Sequence, residues 1–373
     1  MSIIETRENF ENLAGKLKGF LKFSALVFSE KFFERYRKYL IIIPFILEVL
    51  TIVPYATKMI TNDEGVIVFA SMIPFAFGYF RAMLKILTIL LHSEKIDGIF
   101  KWFHKLHLEH INDIFSQIYF ENLQRIFKIV HFITRFVTIS AGSALSICIF
   151  FMATDKLPFK VPFIDQSYQT FHHLIAEVAV TYNSFNTCLT DIIMIFTGVY
   201  FIGALDILSG IIGKLNESSN IAISGDILRQ IIIFHLEIMN NFNDFCEIFE
   251  FLFIFELFHT IGFLLFDFYL IWQSDNLCFF LASASYIFVQ FALFCLFGQI
   301  IFNRSERIFT DLYQTKWYEM EVKDQKAVLL IMKMSQNAFG LKAGRMYDIN
   351  LILFFNVLKL CVSWYAILYT VLN

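Results

Sequence analysis

Residues 303–346 read NRSERIFTDLYQTKWYEMEVKDQKAVLLIMKMSQNAFGLKAGRM and run straight into residues 347–371, YDINLILFFNVLKLCVSWYAILYTV. The first stretch carries eight basic residues: Arg304, Arg307, Lys316, Lys323, Lys326, Lys333, Lys342 and Arg345. The second carries only Lys359. An apolar run of about 20 residues crosses the hydrocarbon core as a helix. A strongly basic flank beside it stays on the cytoplasmic side. The last segment is therefore predicted to leave the cytosol and end outside.

Working outward, six further apolar stretches precede it, at 39–60, 66–91, 127–152, 170–212, 249–273 and 277–302. Basic residues avoid every second gap between them. The tail 1–38 holds eight (Arg7, Lys16, Lys18, Lys22, Lys31, Arg35, Arg37, Lys38), the second gap and its edge five (Lys95, Lys101, Lys105, Arg125, Lys128), and the fourth gap two (Lys214, Arg229). The alternate side holds only Lys58, Lys156 and Lys160. The pattern predicts an all-α membrane protein of seven transmembrane helices, N-terminus cytoplasmic and C-terminus extracellular. G-protein-coupled receptors run the other way.

Composition agrees: 57% of the 373 residues are hydrophobic, and 48 are Phe. That is well above the apolar share of a soluble domain. The first 38 residues are charged and show no cleavable signal peptide, so the first span is expected to act as an uncleaved anchor. Cys148, Cys188, Cys246, Cys278, Cys295 and Cys361 lie in or beside apolar stretches and read as packing residues. The glycosylation triplets at Asn216 and Asn303 fall on the predicted cytoplasmic side, where they are not used.

Four regions follow: a cytoplasmic amphipathic segment, 1–38; helices one to six, 39–302; a cytoplasmic anchor, 303–346; and the final helix, 347–373. Leu13, Leu17, Phe20 and Leu21 of the tail share a helical face, expected to lie on the membrane surface. The gaps 92–126 and 213–248 keep helical periodicity, so the spans beside them are predicted to project into the cytosol and pack as one anchor layer. The loop 153–169, with Pro158 and Pro162, is expected to cover the outer face.

No Walker loop, HExxH or nucleophile elbow occurs, so no enzyme, cofactor or nucleic-acid partner is expected. His104, His107 and His110 drift off one helical face and make no metal site. His172 and His173 read as interfacial. Glu48, Arg81, Lys85, Arg135, Glu177, Asp191, Asp206, Glu256, Asp267 and Lys359 are ionisable residues within spans. Inter-helix pairing is the favoured reading for most of them over a proton relay. In the last span Asn356, Leu360, Ser363, Ile367 and Thr370 share one face. That face suits a pore with an outer apolar gate or a packed helix with small contact residues.

Over the C-terminal hundred residues, Cys295-Leu296-Phe297-Gly298, then Ser305, then Tyr313 to Trp317-Tyr318 follow in order. They resemble the Cys-x-x-Gly stretch and the Ser…Tyr-x-x-x-Trp-Tyr pattern of the insect odorant receptor family, in particular the tuning subunits of dipteran, mosquito-like members. Lys326 to Gln336, then Ala343 to Tyr347, resembles the amphipathic segment before the last helix. Phe354 through Ser363-Trp364-Tyr365 resembles the family ending, and Leu157-Pro158-Phe159 an outer-loop motif. The resemblance implies an odorant-gated, non-selective cation channel, a heterotetramer with the odorant receptor co-receptor, in the dendritic plasma membrane of olfactory neurons. It implies gate positions at Ile367 and Val371. Thr370, where the co-receptor has Gln, and the unexpected Lys359 point to a tuning subunit.

The family's odorant pocket lies in the outer half of spans two, three, four and six. Its counterparts here are Phe69, Met72, Ile73, Ser140, Ser143, Ile147, Phe151, Tyr182, Phe185, Phe280, Ser283, Tyr286 and Ile287. This apolar, aromatic set with a few hydroxyls suits a small, weakly polar volatile. A metabotropic seven-helix chemoreceptor, a gustatory-type receptor channel and a transporter are the rival readings.

Overall fold

A computed structural model describes residues 3–24, 66–108, 115–153, 168–216, 224–273 and 277–372. The first apolar stretch, with Glu48, and most of the outer loop lie outside them, as do some side chains near the helix ends. Among the described residues nearly everything is helix: α1 (Ile3–Ser24), α2 (Val66–Leu91), α3 (Ser93–Leu108), α4 (Ser116–Ala153), α5 (Gln169–Gly213), α6 (Ser224–Gln273), α7 (Leu277–Tyr313), α8 (Val322–Ser335) and α9 (Leu351–Leu372).

Length explains the layering. With 45 residues in α5 and 50 in α6, a rise of about 1.5 Å per residue makes each roughly 70 Å long. The hydrocarbon core is about 30 Å thick, so much of each helix must lie beyond it. The stretches Val180–Asn216, Gly225–Asp267 and Ala284–Glu319 are long and apolar enough to cross a membrane. Leu351–Ile367 is a shorter apolar helix. Helix α5 sits at the centre, with 72% of its apolar window buried against 28% in α7. It packs against α1, α2, α4, α6 and α7.

A string of rings fills the core beside the expected cytoplasmic end. Phe103 lies 4.6 Å from Tyr200 and 5.7 Å from Phe201, and Phe245 lies 5.5 Å from Phe201 and 5.0 Å from Phe249. Polar ties close its edge. The Trp102 indole N–H and the Lys105 ammonium both reach Glu237, at 3.1 and 3.0 Å, and Lys95 meets Glu247 at 2.6 Å. These join α3 to α6.

Part of the apolar face of α1 packs on protein: Leu17 is buried, as is Phe10, whose ring stacks 4.8 Å from that of His107, while Phe20 is exposed. The last helix begins at Leu351, not 347, because Lys342–Ala343 and Tyr347–Asp348 pair as two short antiparallel strands, β1 and β2. The Asn350 side-chain oxygen then caps the helix by accepting from the Leu353 N–H at 2.9 Å. Helix α7 runs on past residue 302 to Tyr313.

Several residues that carried the resemblance turn out to build this joint. Ser305 accepts a hydrogen bond from the Phe339 N–H at 2.9 Å. Gly298 lies where a Cβ would stand 2.1 Å from the Ile349 carbonyl oxygen, so only glycine lets α7 pass the start of α9. Gly344 takes a left-handed φ of 55° in the β1–β2 turn, and its N–H donates to the Glu250 carbonyl at 3.2 Å.

Candidate functional site

Inside the bundle lies a cavity of about 600 Å³ between α4, α5, α6 and α7. Helix α4 supplies Phe132, Ile133, Phe136, Val137, Ser140 and Ser143; α5 supplies Asp191, Met194 and Ile195. Helix α6 supplies Leu252, Glu256, His259 and Thr260, and α7 a strip from Ser285 to Ile300. Most of these are apolar because each helix turns its apolar stripe to its neighbours. At the α4–α7 seam the lining residues Phe132, Phe136, Val289, Leu293 and Leu296 are exposed on the outer surface of the bundle.

Behind the cavity, α2 contributes two cations one helical turn apart. The Arg81 Nε donates to both Glu256 carboxylate oxygens, at 2.8 and 2.9 Å. The Lys85 ammonium reaches Asp191 at 2.5 Å and Glu256 at 2.9 Å. The Gln290 amide donates to the second Asp191 oxygen at 2.7 Å. This bears out the pairing read from the sequence for these four in-span charges, and two cations balance two carboxylates. Asp206 likewise meets Arg304 at 3.0 Å. The ring of His259 follows Glu256 by one turn and is 3% exposed. Neither of its nitrogens has a hydrogen-bond partner among the described residues.

Of the residues expected to hold a ligand, Ser140, Ser143, Tyr286 and Ile287 line this cavity. Tyr182 and Phe185 do not: they are half-buried, and the Phe185 ring meets Phe20 of α1 at 6.0 Å. The side chains of Phe69, Met72, Ile73, Ile147, Phe151, Phe280 and Ser283 lie outside the described residues. Sequence reading missed Phe132, Phe136, Met194, Leu252, His259 and Gln290. It sought an outer-half pocket without the fifth span, whereas this cavity takes one wall from α6. A histidine in a continuous apolar run was the available signal.

The last helix has two faces. Phe354, Val357 and Cys361 are buried as it packs on α6 and α7. Asn356, Lys359, Leu360, Ser363, Ile367 and Thr370 are exposed, and the Thr370 hydroxyl donates to the Ile367 carbonyl at 2.8 Å. The Val371 side chain lies outside the described residues. No group of His, Cys, Asp and Glu able to hold a metal occurs among the described residues.

Over 83 residues the chain is 26% identical to the odorant receptor coreceptors of Ooceraea biroi and Harpegnathos saltator, covering 22% of this chain and 17% of each of those proteins. The chain thus matches under one-fifth of the length of these curated relatives. Its fold is similar to the insect olfactory receptor OR5 from Machilis hrabei in complex with eugenol, with a TM-score of 0.83, 13% identity and 100% of both chains covered. A second structure of the same receptor also gives a TM-score of 0.83, at 12% identity over 98% of this chain and 99% of that one. The 7tm odorant receptor family model matches residues 66–362. The chain therefore belongs to the insect odorant receptor family, a family of receptors and channels and not of enzymes.

Proposed function

We propose that this chain is the odorant-binding subunit of a heterotetrameric, ligand-gated, non-selective cation channel, assembled with the odorant receptor co-receptor in the dendritic plasma membrane of olfactory sensory neurons. It crosses the bilayer seven times, with the N-terminus in the cytosol and the C-terminus outside. Segment 303–346 anchors the subunits to one another on the cytoplasmic side, and 347–373 lines the pore.

The two-faced last helix carries this reading. A helix in lipid does not direct Lys359, Asn356 and Ser363 at hydrocarbon tails, because unpartnered polar groups there are expensive. All three are exposed in the single chain, so the face suits water and neighbouring subunits. Ile367 and Val371 toward the outer end then form the apolar gate. A small, weakly polar volatile fills the bundle, tightens α6 and α7, and draws the last helix from the pore axis. The free energy for opening comes from the ligand's preference for the open state.

Co-expression with the co-receptor tests this: an odorant panel evokes a cation current that neither chain gives alone with the same odorants. A response that runs only through a G protein, without intrinsic current, overturns it. An epitope tag at residue 1 stains only permeabilised cells; staining of intact cells instead supports the metabotropic rival.

A further inference from the structure

His259 is buried to 3% exposure on the wall of the cavity, and both its ring nitrogens lack hydrogen-bond partners among the described residues. Buried polar side chains are nearly always partnered, and leaving one bare is costly. Its neighbours are committed elsewhere. Glu256, one turn earlier, is held by Arg81 and Lys85. Asp191 is held by Lys85 and by the Gln290 amide. The cavity that His259 lines is where a group completing it can arrive.

The chemistry of that group follows from the surroundings. Two cations and two carboxylates already balance, so a charged ligand brings a buried charge with no counterpart. The ligand is uncharged. A neutral imidazole has one N–H donor and one acceptor nitrogen. A hydroxyl both donates and accepts, so it bonds whichever nitrogen faces the cavity. An ether oxygen only accepts and a hydrocarbon does neither. The rest of the wall, including Phe136, Met194, Phe291 and Phe294, suits an apolar body.

We propose that His259 is a specificity-determining residue that selects an uncharged alcohol, aliphatic or aromatic, by hydrogen-bonding its hydroxyl while the hydrocarbon body fills the cavity between α4, α5, α6 and α7. This rests on reading the cavity as a ligand site and deepens it to a ligand class.

The test is ligand-induced thermal stabilisation of the purified full chain in lipid nanodiscs. The probes are two matched sets: phenylethanol, its methyl ether and propylbenzene; and octanol, dibutyl ether and nonane, compared at equal concentrations in the bilayer. At least one alcohol binds about tenfold tighter than its matched ether and hydrocarbon. His259→Phe abolishes that preference, and His259→Asn, which keeps a donor and an acceptor, retains part of it. Equal binding within each set, binding by neither alcohol, or a preference that survives His259→Phe overturns the proposal. Should His259→Phe not fold, His259→Asn decides: an alcohol preference undiminished in that variant overturns the proposal. The readout needs no current. Alcohol binding without current sinks the channel reading alone, and current evoked equally by hydrocarbons sinks the alcohol class alone.

Discussion

Arg81 of α2 clasps Glu256 of α6 through both carboxylate oxygens, at 2.8 and 2.9 Å, across 175 residues of chain. Lys85 adds Asp191 of α5 to the same cluster. Helices α2, α5 and α6, of which the last two line the cavity, are thus tied at one buried point. Removing Arg81 leaves Glu256 with Lys85 alone, and removing Glu256 leaves the buried Arg81 without its carboxylate; unbalancing a buried cluster in this way costs up to about 3–5 kcal/mol. Arg81→Ala and Glu256→Ala should each destabilise the purified chain by a free energy of that order, read as a lower thermal midpoint. A double-mutant cycle, read from unfolding in detergent, should show strong coupling between them. Additive effects would mean that the pair does not hold the helices.

The share of this cluster visible in the sequence shows where sequence reading stops. Alternating basic gaps and apolar runs predict helices and their order because both follow from chain-local chemistry. Arg81, Lys85, Asp191 and Glu256 stand out because a charge in an apolar run needs a partner. Which charge meets which is a matter of helix rotation, and no local pattern sets that. The same holds for the cavity. Ser140, Ser143, Tyr286 and Ile287 were within reach by depth along a helix, whereas Met194 and Leu252 look like any other apolar residue until the helices are packed. The strands β1 and β2 were missed because two-residue strands leave no periodicity to read.

Gly298 makes a sharper prediction about the last helix. A methyl group there would sit 2.1 Å from the Ile349 carbonyl oxygen, and that obstacle is backbone, not a flexible side-chain end. Gly298→Ala must push β2 and the start of α9 away from α7, with a typical overpacking cost of about 1–3 kcal/mol. The expected outcome is a lower thermal midpoint and altered gating in the reconstituted heteromer. Unchanged stability and unchanged current would show that the joint is slack.

His107 provides a pH test outside the membrane. Burial pushes its pKa from 6.5 down to about 4, and the nearby charge of His104 acts in the same direction while Glu11 opposes both. Its ring packs on Phe10 and lies 3.3 Å from the Tyr200 hydroxyl. The folded chain thus holds the neutral ring, and the unfolded chain takes up the proton more readily. The stabilisation is present above about pH 6.5 and fades as pH falls toward 4. Proteolysis of α1 should accelerate over that window, and His107→Phe should flatten the profile. A profile unaltered by the substitution would exclude His107 as its origin.

The gate makes the last prediction. Ile367 is 51% exposed on the free face of α9, so Ile367→Ala removes little packing within the chain and should leave the thermal midpoint nearly unchanged. If α9 lines the pore of the proposed channel, the same change removes apolar closure from its outer constriction, where a narrow pore is sealed by dewetting. The expected result is a ligand-independent leak in the heteromer that the wild-type chain lacks. Lys359 lies eight residues before it on the exposed side. Lys359→Ala should raise cation conductance by removing a positive charge from the permeation path without producing leak. If Ile367→Ala gives no leak and Lys359→Ala leaves conductance unaltered, this face does not line the pore and the polar stripe has to be assigned to contacts between subunits.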